Sequence, residues 1–214
     1  MPNHVINILT ITGDKKKVHD VLKQIQSKKK EEGTFAAIDF NEVLPMPEDL
    51  LIESGSSAQT AKTIIADMLK NPEFSIKEYA LENLDKLTRS ASVLPYLKNY
   101  FKYGSTDWYD WCCKHWGTKW NAYSVEITGK SQIQFQTAWS TPLPVIQKLS
   151  EQHKDVTIRV EFSDEDLGSN CGWYVVKGGE IVDIISLSGD EAMQHSCTLW
   201  GYDYDEMMQE REEA

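Results

Sequence analysis

Apolar and polar positions near the N-terminus follow first a strand period and then a helix period. A buried strand is predicted by an apolar run that closes at Gly13 and contains Val5, Ile6, Ile8, Leu9 and Ile11. Asp14 can cap a helix, and the apolar residues after it have helical spacing, at Val18, Val21, Leu22 and Ile25. Residues 34–40 predict a second strand, so residues 1–44 are expected to form a β-α-β opening.

Residues 45–116 keep a helical period. Apolar stripes recur with that period at Ala61, Ile65, Met68 and Leu69, at Ala80, Leu84 and Leu87, and at Leu97, Tyr100 and Phe101. A further set is spaced i, i+3, i+4 and i+7, which places its members on one helix face: Trp108, Trp111, Cys112 and His115. We predict a helical insertion over residues 45–116, with Gly117 as a natural helix stop.

Downstream of the insertion the apolar period changes to two, which is typical of strands. Residues 117–190 predict the order β-β-α-β-β-β, with the helix opening at Thr141-Pro142. This pattern predicts an α+β protein with an antiparallel or mixed sheet and helices on one face. We predict a ferredoxin-like fold in one compact unit that carries the helical insertion. Residues 203–214 are expected to form a frayed acidic tail.

Charge is distributed unevenly along the chain, whose formal net charge is −11. Residues 1–160 carry 20 Lys+Arg and 19 Asp+Glu, whereas residues 161–214 carry 2 and 14. Binding to nucleic-acid phosphates needs clustered Lys and Arg, so no direct nucleic-acid contact is expected. An acidic surface attracts basic partners, which makes a basic protein the expected partner of residues 161–214. Mimicry of nucleic acid toward a DNA-binding protein is a specific form of this hypothesis.

The sequence contains no recognisable targeting or membrane segment. Residues 1–9 lack the basic start and cleavage site of a signal peptide, and no apolar run approaches the ~18–20 residues of a membrane span. The four cysteines include no Cys-x-x-Cys pair, and Cys112 and Cys113 are adjacent. These features predict a cytoplasmic protein that makes no membrane contact.

Three stretches in the second half of the chain resemble a known family. They are residues 108–122, with the core Trp116-Gly117-Thr118-Lys119-Trp120-Asn121, then residues 135–142, and then residues 165–173. In this order they resemble the YubB-like family with a ferredoxin-like domain, whose members are bacterial, plasmid and phage proteins of unknown function. The family commonly has Asn before the Trp-Gly motif, where this chain has His115, so a role shared through an imidazole is not expected. The resemblance implies a fold and a cellular context, and no chemistry.

The Trp-Gly-Thr-Lys-Trp-Asn segment has two interpretations. In the first, its indoles pack in the core and Gly117 supplies a turn, while Lys119 lies across an indole face. In the second, the segment forms a ligand groove with aromatic walls, in which Lys119 contacts an anion. The candidate binding residues of this second interpretation are Trp116, Lys119, Trp120 and Asn121.

Cysteine and histidine side chains offer a second candidate site. Zinc ligands could come from Cys112, His115, His195 and Cys197, although none of these residues has the spacing of a standard zinc finger. Buried structural cysteine is the preferred interpretation, and a Cys–His nucleophile pair is the other alternative. The acidic turn at residues 164–166 lacks the EF-hand pattern, and the common nucleotide and hydrolase motifs are absent from the sequence. We expect no metal and no cofactor.

These features favour a non-catalytic binding or regulatory module of a mobile element or its bacterial host. An enzyme or small-ligand binder that uses the Trp/Lys groove is the first alternative. A structural subunit of a homo-oligomer is the second, because open sheets often associate through their edges. The sequence leaves the oligomeric state and any catalytic activity open.

Overall fold

The computed structural model describes residues 3–26, 38–70 and 92–213, with side chains described as far as residue 210. The chain divides into two compact units. One unit is Met46–Lys114, and the other combines Met1–Pro45 with His115–Ala214. None of the described helices is long and apolar enough to cross a membrane.

The larger unit contains a sheet and helices around it. Its strands are β1 (His4–Thr12), β2 (Tyr123–Ile127), β3 (Gln132–Ala138), β4 (Thr157–Asp164), β5 (Gly172–Lys177) and β6 (Glu180–Ser186). Its helices are α1 (Lys15–Ile25), α5 (Leu143–Gln152), α6 (Gly189–Trp200) and α7 (Tyr204–Glu213), with a 3-10 turn at Phe40–Glu42. The smaller unit contains α2 (Ser56–Lys70), α3 (Leu94–Tyr103), α4 (Trp108–Trp111) and a 3-10 turn at Glu48–Leu50. A π-helical turn at Cys112–Trp116 follows α4.

The six described strands form one sheet in the order β2-β3-β1-β4-β5-β6, and every neighbouring pair is antiparallel. The first strand of the chain therefore lies in the centre, between β3 and β4. The predicted α+β class and the β-β-α-β-β-β order of residues 117–190 are confirmed.

One face of the sheet, called the core face below, carries the apolar positions. In β1, Leu9 pairs with Ile133 of β3 and with Val160 of β4, and Val160 pairs with Tyr174 of β5. All four side chains are buried, and α5 packs against β4, β5 and β6. Each such large side chain contributes roughly 1.5–3 kcal/mol through removal from water. The alternation read from the sequence therefore corresponds to the core.

The opposite face, called the second face below, is largely polar. Ser163 of β4 lies on it, and its hydroxyl group donates a hydrogen bond to Ser196 of α6 at 2.8 Å. Helix α6 therefore covers one end of this face. Farther along this face, Cζ of Arg159 lies 4.1 Å from the ring centroid of Trp173, and Nη2 of Arg159 lies 3.2 Å from a carboxylate oxygen of Glu161.

The smaller unit has its own apolar cluster between α2 and α3, which includes Ala61, Ile65 and Leu97. The hydroxyl group of Tyr96 donates to the carbonyl oxygen of Glu53 at 2.7 Å, so α3 is also held by a hydrogen bond. This packing accounts for the helical period of the described part of residues 45–116.

Several expectations differ from the structure or fall outside its described part. Residues 34–37 of the predicted second strand are not described, and Ile38 forms only an isolated bridge with Gln26. The stripe of Ala80, Leu84 and Leu87 is also outside the described residues. The helix that carries Trp108 and Trp111 changes to a π-helical turn at Cys112, so the predicted single α-helical face does not extend to His115.

The C-terminal segment was predicted to be a frayed tail, but residues 204–213 form helix α7. Asp203 precedes the helix, and its Oδ1 accepts hydrogen bonds from the backbone N–H groups of Asp205 and Glu206 at 2.9 and 3.0 Å. Carboxylates in the first turn are also favoured by the helix dipole. Capping therefore stabilises a segment that lacks a strong apolar stripe.

Candidate functional site

Trp116 of the Trp-Gly-Thr-Lys-Trp segment is a core side chain. It is 3% exposed, and its Nε1–H group donates to the carbonyl oxygen of Leu44 at 2.9 Å. Its ring meets Phe40 edge-on with 5.6 Å between the centroids. The indole therefore has the buried area and the hydrogen-bond partner that a packed tryptophan requires.

The side chain of Asn121 makes hydrogen bonds with residues 39 and 40. Its Oδ1 accepts hydrogen bonds from the backbone N–H groups of Phe40 at 2.9 Å and Ala122 at 3.0 Å. Its Nδ2 donates to a carboxylate oxygen of Asp39 at 2.8 Å. Both ends of the amide thus have partners within the protein, which gives Asn121 a structural role.

Gly117 and Thr118 make the turn from the π-helical segment into the strands. Gly117 has a φ of +77°, and a Cβ placed there would lie 2.9 Å from Cδ of Pro144. The hydroxyl group of Thr118 donates to the carbonyl oxygen of Ala138 at 3.0 Å. These contacts explain the residue types in this part of the motif.

Lys119 lies between two indole rings, in a group called the Lys119 cluster below. Its Nζ is 4.7 Å from the ring centroid of Trp120 and 4.9 Å from that of Trp139. Trp139 is exposed and has a φ of +74°, and its carbonyl oxygen accepts a hydrogen bond from Asn170. Cation–π contacts at exposed positions stabilise by about 0.5–1 kcal/mol each. Lys119 thus lies against Trp120 of the predicted set and against Trp139, which was not predicted, and binding by the predicted residues stays a prediction.

The structure shows the surroundings of three of the cysteine and histidine candidates. The Sγ atom of Cys112 lies 4.0 Å from Sδ of Met46, and burial raises the pKa of Cys112 to about 12. On α6, Cys197 is buried, and Nε2 of His195 lies 3.1 Å from the carbonyl oxygen of Gly172. Within residues 3–26, 38–70 and 92–213, no three His, Cys, Asp or Glu side chains are grouped as metal ligands. The raised pKa keeps the Cys112 thiol protonated at neutral pH, and a thiol in that state is a poor nucleophile.

Strand β6 is an edge strand that sequence reasoning did not single out as a site. It pairs with β5 on one side, and every one of its residues is exposed. Val182 and Ile184 are 58% and 53% exposed, and Ile181 and Ile185 are also exposed. Ile184 pairs with Tyr174 on the core face and Ile185 pairs with Trp173 on the second face, so aliphatic side chains emerge on both sides of the edge.

The surface of residues 161–210 is rich in carboxylates. Ten acidic side chains in this range are exposed: Glu165, Asp166, Glu180, Asp183, Asp190, Glu191, Asp203, Asp205, Glu206 and Glu210. Lys177 is the one Lys or Arg that the sequence places in the same range. Among the described carboxylates of residues 161–210, only that of Glu161 is in an ion pair. The region thus offers negative charge that neighbouring cations do not neutralise.

Comparison with known proteins supports the fold of the second half of the chain. Residues 115–212 match the family model described as the ferredoxin-like domain in Api92-like protein. Residues 115–212 therefore form a ferredoxin-like domain. The matched model describes a domain of unknown function in Api92-like protein. Membership of the YubB-like family stays a prediction.

The ferredoxin-like domain contains both the Lys119 cluster and strand β6. A search of solved structures finds the crystal structure of the protein Api92 from Yersinia pseudotuberculosis, with 10% sequence identity and a TM-score of 0.43. That match covers 88% of this chain and 99% of the other, and at this similarity it adds nothing to the functional assignment. No curated protein sequence matches the chain.

Proposed function

We propose that the chain is a non-catalytic binding module that captures a basic protein partner through strand β6 and the carboxylates around it. The resemblance to YubB-like proteins supports a role as an accessory protein of a mobile element or its bacterial host. The observation that carries the proposal is the exposure of an apolar edge strand in an acidic surface.

The edge of β6 is suited to accept another strand. An edge strand presents a row of backbone N–H and C=O groups, and proteins usually protect it with Lys, Pro or a covering element. Strand β6 contains neither Lys nor Pro over seven residues. A partner strand would gain main-chain hydrogen bonds and would cover Val182 and Ile184.

Charge favours a basic partner. Glu180 and Asp183 lie within β6 itself, so a strand placed beside it meets two carboxylates. The other exposed carboxylates of residues 161–210 extend this negative surface. Oppositely charged surfaces raise the association rate, and the effect falls as salt screens the charges.

The test is capture of proteins from bacterial lysate by the full chain at low and high salt, followed by mass spectrometry and measurement of affinity for the purified partner. The edge variant is Val182→Lys/Ile184→Lys, and the charge variant is Glu180→Gln/Asp183→Asn. Controls are Leu51→Lys, another exposed aliphatic position, and Asp20→Asn/Glu126→Gln, two exposed carboxylates elsewhere.

We expect a basic partner whose affinity falls at least about tenfold, or about 1.4 kcal/mol, in the edge variant. The charge variant should mainly slow association and reduce its salt dependence, and both controls should bind as the wild type does. Full binding by the edge variant, or a partner without basic character, would refute the proposal.

Self-association is a second candidate function, and the same strand favours it. If β6 pairs with β6 of a second copy, the chain is a structural subunit of a homo-oligomer. Light scattering over a range of concentrations tests this alternative. A concentration-dependent dimer that becomes a monomer in Val182→Lys/Ile184→Lys, and stays a dimer in Leu51→Lys, would assign β6 to self-association.

A further inference from the structure

A cleft of about 750 Å³ lies at the other end of the sheet from β6. It is lined by the end of β1, by α1 as far as Leu22, by the last residue of β2 and by the turn between β2 and β3. Small-molecule sites in proteins are typically clefts of roughly 300–1,000 Å³ with mainly apolar walls and a few polar groups. The size of the cleft therefore suits a small ligand.

The inner wall of the cleft is apolar. Ile11 of β1 and Val18 and Leu22 of α1 contribute to it, and the first two are buried. Ile127 closes β2 and pairs with Ile133 on the core face, yet it is 52% exposed. The apolar core is thus open to the cleft at this corner, where a ligand could cover Ile127.

Basic side chains also line the cleft. They are Lys15, His19 and Lys130, and no Asp or Glu is among the lining residues. Two neighbouring lysines do not contribute to this positive charge. Lys17 pairs with Asp155 at 3.2 Å, and Lys16 does not line the cleft. Among the described residues, neither Lys15 nor Lys130 has a carboxylate partner within ion-pair distance. This cationic character contrasts with the net charge of −11.

We propose that this cleft binds a small amphipathic anion. Its carboxylate or phosphate head contacts Lys15 and Lys130, and its apolar body lies against Ile11, Val18, Leu22 and Ile127. Apolar burial provides affinity, and the two ammonium groups select for a negative head. The site is independent of β6 and of any basic partner, so either proposal can fail without the other.

The test is calorimetric titration of the full chain with decanoate, below its micellar concentration. Comparison with decyl phosphate shows which head group is preferred. As controls, 1-decanol has the apolar body without the charge, and inorganic phosphate has the charge without the apolar body. We expect decanoate or decyl phosphate to bind at least about tenfold more tightly than 1-decanol, and phosphate alone to bind more weakly still.

Two variants locate the site. Lys15→Gln/Lys130→Gln should weaken binding of the anion about tenfold or more, and Ile127→Asp should abolish it by placing a carboxylate in the apolar wall. Lys16→Gln is the matched control and should bind as the wild type does. Absence of binding by both anions would overturn the proposal. Equal binding of 1-decanol, or wild-type affinity in Lys15→Gln/Lys130→Gln, would also overturn it.

Discussion

At the scale of single residues, the Trp-Gly-Thr-Lys-Trp motif combines buried and exposed roles. Trp116 fills the core, while Lys119 and Trp120 lie nearer the surface with Trp139. The sequence predicted an aromatic contact for Lys119 but not the contact with Trp139, which is twenty positions further along the chain. The two residues meet because Thr118 bonds to Ala138, the last residue of β3, and no local pattern reports that pairing.

Gly117→Ala should destabilise the fold more than an ordinary glycine substitution. At a φ of +77° an added Cβ is strained, which costs about 1–2 kcal/mol, and at this position it would also lie 2.9 Å from Cδ of Pro144. Overpacking of this kind costs roughly a further 1–3 kcal/mol. Denaturant unfolding measures the difference.

Gly201→Ala is the matched control for that experiment. Gly201 also has a φ of +77°, but a Cβ there would meet no atom within 4 Å. The control variant therefore carries the backbone penalty without the clash. Equal losses of stability in the two variants would show that the contact with Pro144 relaxes without cost.

Cys112 should make stability depend on pH in the alkaline range. Burial, with smaller effects of Cys113 and Asp107, raises the pKa of its thiol from 9.0 to about 12. Because the folded pKa is the higher one, this contribution to stability is fully present below pH 9.0 and is lost as pH rises toward about 12.

The free energy of unfolding of the wild type should therefore fall more steeply in this range than that of Cys112→Ala. The slopes should differ by up to about 1.4 kcal/mol per pH unit, the value for one proton. Cys112→Ala also leaves a cavity, but this shifts its stability at every pH and leaves the slope unchanged. Parallel curves would contradict a raised pKa at Cys112.

At the scale of elements, the described strands were predictable and two of the helices were not. In strands β3 and β4, buried apolar residues mostly alternate with less buried polar ones, so the sequence shows the two-residue period of a strand. Helix α6 buries a stripe of small or weakly apolar residues, namely Ala192, Met193, Ser196 and Cys197. Such a stripe has no strong hydrophobic signal, because it packs through small size and through the hydrogen bond between Ser163 and Ser196.

Strand β6 shows why sequence could identify an element but not its exposure. The β-β-α-β-β-β order predicted for residues 117–190 ends in a strand, which corresponds to β6, and apolar strands usually lie inside a sheet. Exposure follows from the order β2-β3-β1-β4-β5-β6, which places the last strand at an edge. The order of strands depends on long-range pairing, so this part of the candidate site required the structure.

At the scale of the whole molecule, one uneven charge distribution has two consequences. The negative charge is concentrated in residues 161–214, and most of its described carboxylates lack ion-pair partners. Like charges at this density repel one another in the folded protein, and they attract a basic partner. Salt weakens both interactions, because the screening length falls from about 30 Å at 0.01 M to about 10 Å at 0.1 M.

We therefore expect salt to act in opposite directions on the free protein and on its complex. Between 0.01 and 0.1 M NaCl the melting temperature of the free protein should rise, because repulsion in the folded state is screened. Over the same range the affinity for the basic partner should fall. Glu180→Gln/Asp183→Asn removes two of the charges in β6, so it should reduce both responses. If the melting temperature does not rise while the affinity falls, the carboxylates are too far apart to repel, and attraction must come from a few of them close to β6.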